Sequence, residues 1–210
     1  MKIFCIGFHK TGTSSMRLAL TRLGFRVTGP YGVHDPDIAS HALDLARDLV
    51  PQYDAFQDNP WPVLYRELDA LYPGSRFILT LREPESWIES VTRHFSGRHT
   101  PMREWIYGFG DPAGHEREYL HRYLQHNGEV MQHFHGREDK DFLVLRVTDG
   151  EGWDVLCPFL DVPTMNDDCD PFPHRNSAGE REARRRPFRR MRRAIGRAGL
   201  GVVSSAKRDS

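Results

Sequence analysis

Residues 3 to 24 constrain this chain more than any other stretch. Ile3-Phe4-Cys5-Ile6 is a short, continuous apolar run that stops at Gly7, the pattern of a strand buried on both faces. After a polar turn, Met16, Ala19, Leu20 and Leu23 recur at i, i+3, i+4 and i+7, and Gly24 stands where a helix would end. Strand, loop and helix in that order form the first half of a βαβ unit.

The same grammar repeats downstream. Asp54 to Phe56 reads as a brief strand, followed by Leu64, Leu68, Leu71 and Tyr72 on one helical face. Phe77 to Leu81 is a second buried strand, followed by a helix opened by Pro84 with Trp87, Ile88, Val91 and Phe95 inward. A longer helix is expected from about Glu116 to Phe134, with Leu120, Tyr123, Leu124 and Met131 as its buried stripe. Phe142 to Val147 is another strand, and a short helix is expected around Trp153 to Leu160. Strands alternating with helices predict an α/β fold with a mainly parallel sheet. At 210 residues and 39% apolar, the chain is long enough for one such core. No Gly/Ser or Pro-rich linker divides the first 160 residues, and the composition shifts only near Pro171. The expected organisation is one domain over 1–178 and a basic, partly helical or disordered tail over 179–210.

The formal charge of zero conceals an asymmetry. Residues 175–210 hold 12 Lys/Arg and 3 Asp/Glu, a net of +9, which leaves 17 against 26 and a net of −9 in residues 1–174. Within the tail, Phe188, Met191 and Ile195 make a narrow apolar stripe among arginines, a pattern compatible with membrane-surface contact through Arg184 to Arg197, or simply with a solvated tail. Three cysteines without CxxC spacing indicate neither a disulfide framework nor a zinc knuckle. The N-terminal apolar run is too short for a secretory or membrane segment, so a cytoplasmic protein is expected. Eleven histidines invite a metal reading, yet the closest pair, His133 and His135, point to different faces of a helix, and no metal is expected.

The chemistry concentrates in Gly7-Phe8-His9-Lys10-Thr11-Gly12-Thr13-Ser14-Ser15, between the first strand and helix. Backbone N–H groups, a helix N-terminus, one ammonium and the hydroxyls of Thr13, Ser14 and Ser15 would surround a common point, which makes an anion cradle. The plainer alternative is a turn capped by Thr13 or Ser14. It is not the usual nucleoside-triphosphate loop, because Lys10 precedes Gly12 instead of following it.

Lys10-Thr11-Gly12-Thr13-Ser14-Ser15 resembles the 5′-phosphosulfate-binding loop of sulfotransferases, which use 3′-phosphoadenosine 5′-phosphosulfate (PAPS) as donor. A second segment, Phe77 to Ser90, resembles that family's 3′-phosphate-binding element, an Arg at a strand end (Arg82) and a Ser eight residues on (Ser90). Asp58-Asn59-Pro60-Trp61-Pro62, Tyr72-Pro73-Gly74-Ser75, Leu156-Cys157-Pro158-Phe159-Leu160 and Pro171 to Asn176 look like a subfamily of small bacterial-type members, so the resemblance spans about residues 2 to 176. Asn166 to Asp170 looks like an irregular acidic insertion.

The resemblance implies a P-loop NTPase-like three-layer α/β/α fold, PAPS as co-substrate without a metal, and sulfuryl transfer to a hydroxyl or amine. Lys10, Thr11, Gly12, Thr13, Ser14, Ser15, Arg82 and Ser90 would bind the donor, and Lys10 would also stabilise the leaving phosphate. Better-known branches carry a His or Glu base after a central strand. The corresponding region here offers Gln57 and Asp58, so Asp58 is the candidate base, against a turn or N-cap role, with His9 as fallback. Trp61, Trp105, Tyr107 and Phe109 either line an acceptor pocket or belong to the core. Two rival readings remain: a P-loop kinase or NTPase with Asp149 holding a metal, and a non-catalytic anion-binding protein acting through its tail. The acceptor is expected to be a small molecule, glycan or lipid, and no nucleic acid is expected.

Overall fold

The computed structural model describes residues 1–137, 141–165 and 171–173. Five strands, β1 (Ile3–Cys5), β2 (Val27–Thr28), β3 (Ala55–Phe56), β4 (Arg76–Thr80) and β5 (Phe142–Leu145), form one sheet in the order β2-β3-β1-β4-β5. Every pairing is parallel, with Ile3 opposite Ala55 and Arg76, and Phe77 opposite Phe142. A parallel sheet requires both faces covered, and successive residues supply both. Phe4, Phe56, Phe77 and Phe142 pack into one core layer, while Ile3, Cys5, Ala55, Ile78 and Leu145 pack into the other.

The second layer is small: α1 (Thr13–Arg22) buries Met16, Ala19 and Leu20 beside α7 (Trp153–Phe159) with Trp153, Leu156 and Cys157. The first face is thicker, built from α2 (Ile38–Leu49), α3 (Tyr65–Leu71), α4 (Pro84–Phe95), α5 (Pro101–Tyr107) and α6 (Glu116–His133). Helices on both faces of a parallel sheet make the expected three-layer α/β arrangement. Among the expected strands and helices, each formed with boundaries shifted by a few residues. The α3 helix, for example, is preceded by a 3-10 turn over Trp61–Leu64.

Two features depart from expectation. The region from residue 25 to 50 forms β2 and α2, additions to the expected elements; the two-residue strand is too short to carry a period. More telling, the stripe expected to bury α6 is turned partly outward, with Leu124 at 49% and Met131 at 43% exposure. The buried face is Tyr119, Tyr123, His126, Asn127 and Val130. Ring packing decides this: Tyr123 stacks on Trp87 at 4.2 Å, Tyr119 on Tyr107 at 4.1 Å and His126 on Phe8 at 4.2 Å. Flat side chains with a polar tip fill this interlayer better than the leucines do.

The acidic insertion at 166–170, the segment from His174 to Asn176, the boundary at 178 and the basic tail lie outside the described residues. Cys5 and Cys157 are free and buried. Burial pushes the Cys5 thiol up to about 12, which leaves it inert. No helix among the described residues is long and apolar enough to cross a membrane.

Candidate active site

The strand order creates the site. From β1 the chain goes out to β2, returns to β3, then passes over β1 to β4, so β1 lies where the connections change direction. In open α/β sheets the crevice beyond the carboxyl ends of such strands takes ligands. Here the ends of β1, β3 and β4 lead into Lys10, Asp58 and Arg82, three candidates that the sequence keeps far apart.

The loop after β1 is shaped by two close approaches. Gly7 lies against β4 so tightly that a Cβ would fall 2.1 Å from the Thr80 hydroxyl oxygen and 2.3 Å from its carbonyl oxygen. Gly12 has φ +107°, and a Cβ there would stand 2.9 Å from that of Val147. Glycine is demanded at both. Gly12 is also the N-cap of α1 and no side chain caps that helix. Ser15 and Met16 N–H return to the Gly12 carbonyl, so of the first-turn amides those of Thr13 and Ser14 are the ones outside the helix's own bonding. Lys10 sits in the left-handed region at φ 69°.

Of the loop hydroxyls, that of Thr11 is already engaged. It donates to the Phe8 carbonyl at 2.6 Å and accepts from Thr80 at 2.6 Å, so it ties the loop to β4. Ser14 is exposed, whereas Thr13 and Ser15 are buried. Thr13 donates to Asp58 Oδ2 at 3.3 Å.

Asp58 sits at φ 66°, a conformation that Asp tolerates better than most residues. It caps no helix: its Oδ1 accepts the N–H of Asn59 at 2.8 Å. Burial raises the carboxyl above its ordinary value, opposed by the Asn59 N–H, the Thr13 hydroxyl and the charge of Lys10. A carboxylate with raised basicity beside an ammonium is suited to receive a proton during transfer.

Arg82 extends to the loop, its Nη1 donating to the Lys10 carbonyl at 3.3 Å. Tyr123 braces the Arg82 backbone, accepting its N–H at 2.9 Å and donating to its carbonyl at 2.7 Å. Glu83 is occupied as the N-cap of α4, accepting from the amides of Glu85 and Ser86, so Arg82 forms no ion pair with it. Ser90 stands half-buried in α4, with no hydrogen bond to the other candidates.

His9 is a packing residue at 4% exposure. Asn59 Nδ2 donates to its Nδ1 at 3.3 Å, which puts the ring proton on Nε2, 3.4 Å from the Tyr107 oxygen. Trp87 Nε1 donates to its carbonyl at 2.8 Å. Burial, with Arg103, Lys10 and His94 nearby, lowers its pKa to about 3, so the imidazole stays neutral. The fallback base is therefore a neutral strut joining the loops after β1 and β3 to α4 and α5.

The four aromatic candidates separate. Trp61 is core, its ring tilted against those of Phe4 and Phe56, and Trp105 packs at the edge of that core. Phe109 is 39% exposed and stacks on His115. Tyr107 alone touches the site, through His9. His133 is bound to Asp69 at 2.8 Å. Asp149 is exposed after β5 and accepts from Thr148. Sequence reasoning gave Thr80, Asn59 and Tyr123 no part in the site, because the contacts of the Thr80, Asn59 and Tyr123 side chains span 69, 50 and 41 residues.

A family model described as "Sulfotransferase domain" matches residues 2–181. A curated relative, the Ava biosynthesis cluster protein M of Aspergillus versicolor, is 27% identical over 220 residues, covering 83% of this chain and 80% of that protein. With the glycine-shaped loop after β1 at the centre of a parallel sheet and the match running through the whole described body, this chain belongs to the sulfotransferase domain family.

Proposed function

We propose that the protein transfers a sulfuryl group from PAPS to a hydroxyl, or an amine, of an acceptor. The observation that supports this best is the convergence at one crevice of an uncapped helix N-terminus, Lys10, Arg82 and a buried carboxylate. A nucleotide bearing phosphate and sulfate groups fits that donor set, and the close packing of Gly7 on Thr80 and of Gly12 on Val147 fixes the course of the loop that would hold it.

In this reading the α1 amides and Lys10 hold the 5′-phosphosulfate, and Arg82 and Ser90 the 3′-phosphate. Asp58 accepts the acceptor's proton as its oxygen bonds to sulfur. As the bond from sulfur to the bridging oxygen breaks, Lys10 stabilises the charge that builds on the leaving phosphate. Thr13 and the Asn59 amide hold the carboxylate toward the crevice, and the neutral His9 strut fixes the relation between its loop and Lys10. Because Asp149 sits exposed while the end of β4 carries Arg82, the kinase or NTPase reading has less support.

The test is metal-free thermal shift and calorimetry with 3′-phosphoadenosine 5′-phosphate (PAP), followed by transfer of labelled sulfate from PAPS. Stabilisation by PAP in the presence of a chelator is expected. Absence of any shift at millimolar PAP, or binding of ATP only with magnesium, overturns the reading.

A further inference from the structure

A groove of about 450 Å³ opens beside the site, lined by Tyr107 of α5 and by Arg117, Glu118, His121, Arg122 and Gln125 of α6. Its volume lies in the range of small-molecule sites. We propose that this groove binds the acceptor through a carboxylate or another oxyanion, so that the substrate is an anionic hydroxyl compound; the inference rests on the sulfotransferase reading.

Three observations carry it. First, Glu118, His121, Arg122 and Gln125 stand at i, i+3, i+4 and i+7, so α6 presents one continuous polar wall. Arg117 and Arg122 are its fixed positive charges, against one carboxylate from Glu118. Arg122 lies over the Phe8 ring at 5.6 Å, and its buried Nη1 pairs with Glu129 Oε2 at 3.9 Å, longer than a hydrogen bond. A guanidinium held over a ring and engaged only by a long ion pair keeps donors for an oxyanion.

Second, a further cation stands one helical turn before Tyr107 on α5. Arg103 is 5% exposed, stacks on Phe95 at 4.7 Å and donates through Nε to the Gly110 carbonyl, while its Nη2 is unpartnered. Among the described residues it has no carboxylate partner. An uncompensated buried charge is costly, and an anion placed nearby reduces that cost. These cations cluster although residues 1–174 carry a net charge of −9.

Third, Tyr107 belongs to both places. Its ring lines the groove, and its hydroxyl meets His9, the neighbour of Lys10. An acceptor anchored by its oxyanion on α6 has its other end on the Tyr107 side of the groove, the side that His9 joins to the loop of Lys10. The arginines also offset repulsion between an anionic acceptor and an anionic donor.

The full chain is assayed for transfer of labelled sulfate from PAPS to matched pairs: para-hydroxyphenylacetate against para-methylphenol, and hydroxyhexanoate against hexanol. A preference of about tenfold or more in kcat/KM for the carboxylated members is expected, the size of a good charge-assisted contact. In Arg117→Gln combined with Arg122→Gln the preference should fall below about threefold, and Arg122→Lys should retain most of it. PAP affinity by calorimetry should change less than about twofold, which also reports that the variants fold. Equal use of neutral and carboxylated members, an undiminished preference in the double variant, or PAP binding without transfer to any carboxylated probe overturns the inference. Failure of the unmodified protein to bind PAP instead overturns the sulfotransferase reading, and this inference with it.

Discussion

At the scale of single residues, the crevice balances stability against charge. Asp58 carries a carboxyl whose pKa burial raises above the ordinary 3.8, so the folded state holds its proton more tightly than the unfolded one. The sign follows: below the unfolded value the group costs nothing, and the cost develops as pH rises from 3.8 through the raised folded value. Asp58→Asn is therefore expected to raise Tm at neutral pH, with the gain disappearing below about pH 4, while turnover falls by about 100-fold or more. An unchanged rate and pH profile would remove Asp58 from the mechanism. Lys10 is expected to show the complementary pattern. Lys10→Ala should reduce turnover by about 100-fold or more while PAP affinity weakens by less than about tenfold, read by single-turnover kinetics and calorimetry. Near-normal turnover at saturating PAPS would contradict that role.

At the scale of elements, the loop after β1 and the helix α6 set what sequence patterning reveals. The loop was legible because its demands are local: a strand end, glycines at forced positions and a helix start. Gly7→Ala places a methyl carbon against Thr80 backbone, so a loss of about 3 kcal/mol is expected in urea unfolding, the upper end for overpacking. The α6 helix was legible in position but not in rotation, since its apolar periodicity is offset by aromatic and polar residues that pack better. Leu124→Gln should therefore change stability by no more than about 0.5 kcal/mol, whereas Phe134→Ala, at the helix end and fully buried, should cost about 3 to 5 kcal/mol. Equal losses at the two positions would reverse the orientation described for this helix.

At the scale of the whole molecule, buried neutral histidines make the fold acid-sensitive. Burial lowers His9 to about 3 and His126 to about 4, both below the ordinary 6.5. The unfolded chain takes up these protons first, so stability is expected to fall as pH drops from about 6.5 toward 4, measurable as a falling Tm, with a shallower fall in His126→Gln. The basic segment 180–210 lies outside the described residues, and its deletion is expected to leave PAP affinity within about twofold, because every donor contact proposed here lies within residues 10–90. A large loss would place that segment at the donor crevice; a parallel assay with anionic vesicles tests a membrane role. The sequence by itself determined the α/β class, the glycine-shaped loop after the first strand and the likeness to sulfotransferases, because periodicity and forced glycines are short-range properties. Only the tertiary structure decided that Lys10, Asp58 and Arg82 share one crevice, that His9 is a strut and that Tyr107 borders a positively charged groove. Those facts depend on the strand order β3-β1-β4 and on ring packing across the sheet, which bring together residues that no local pattern links.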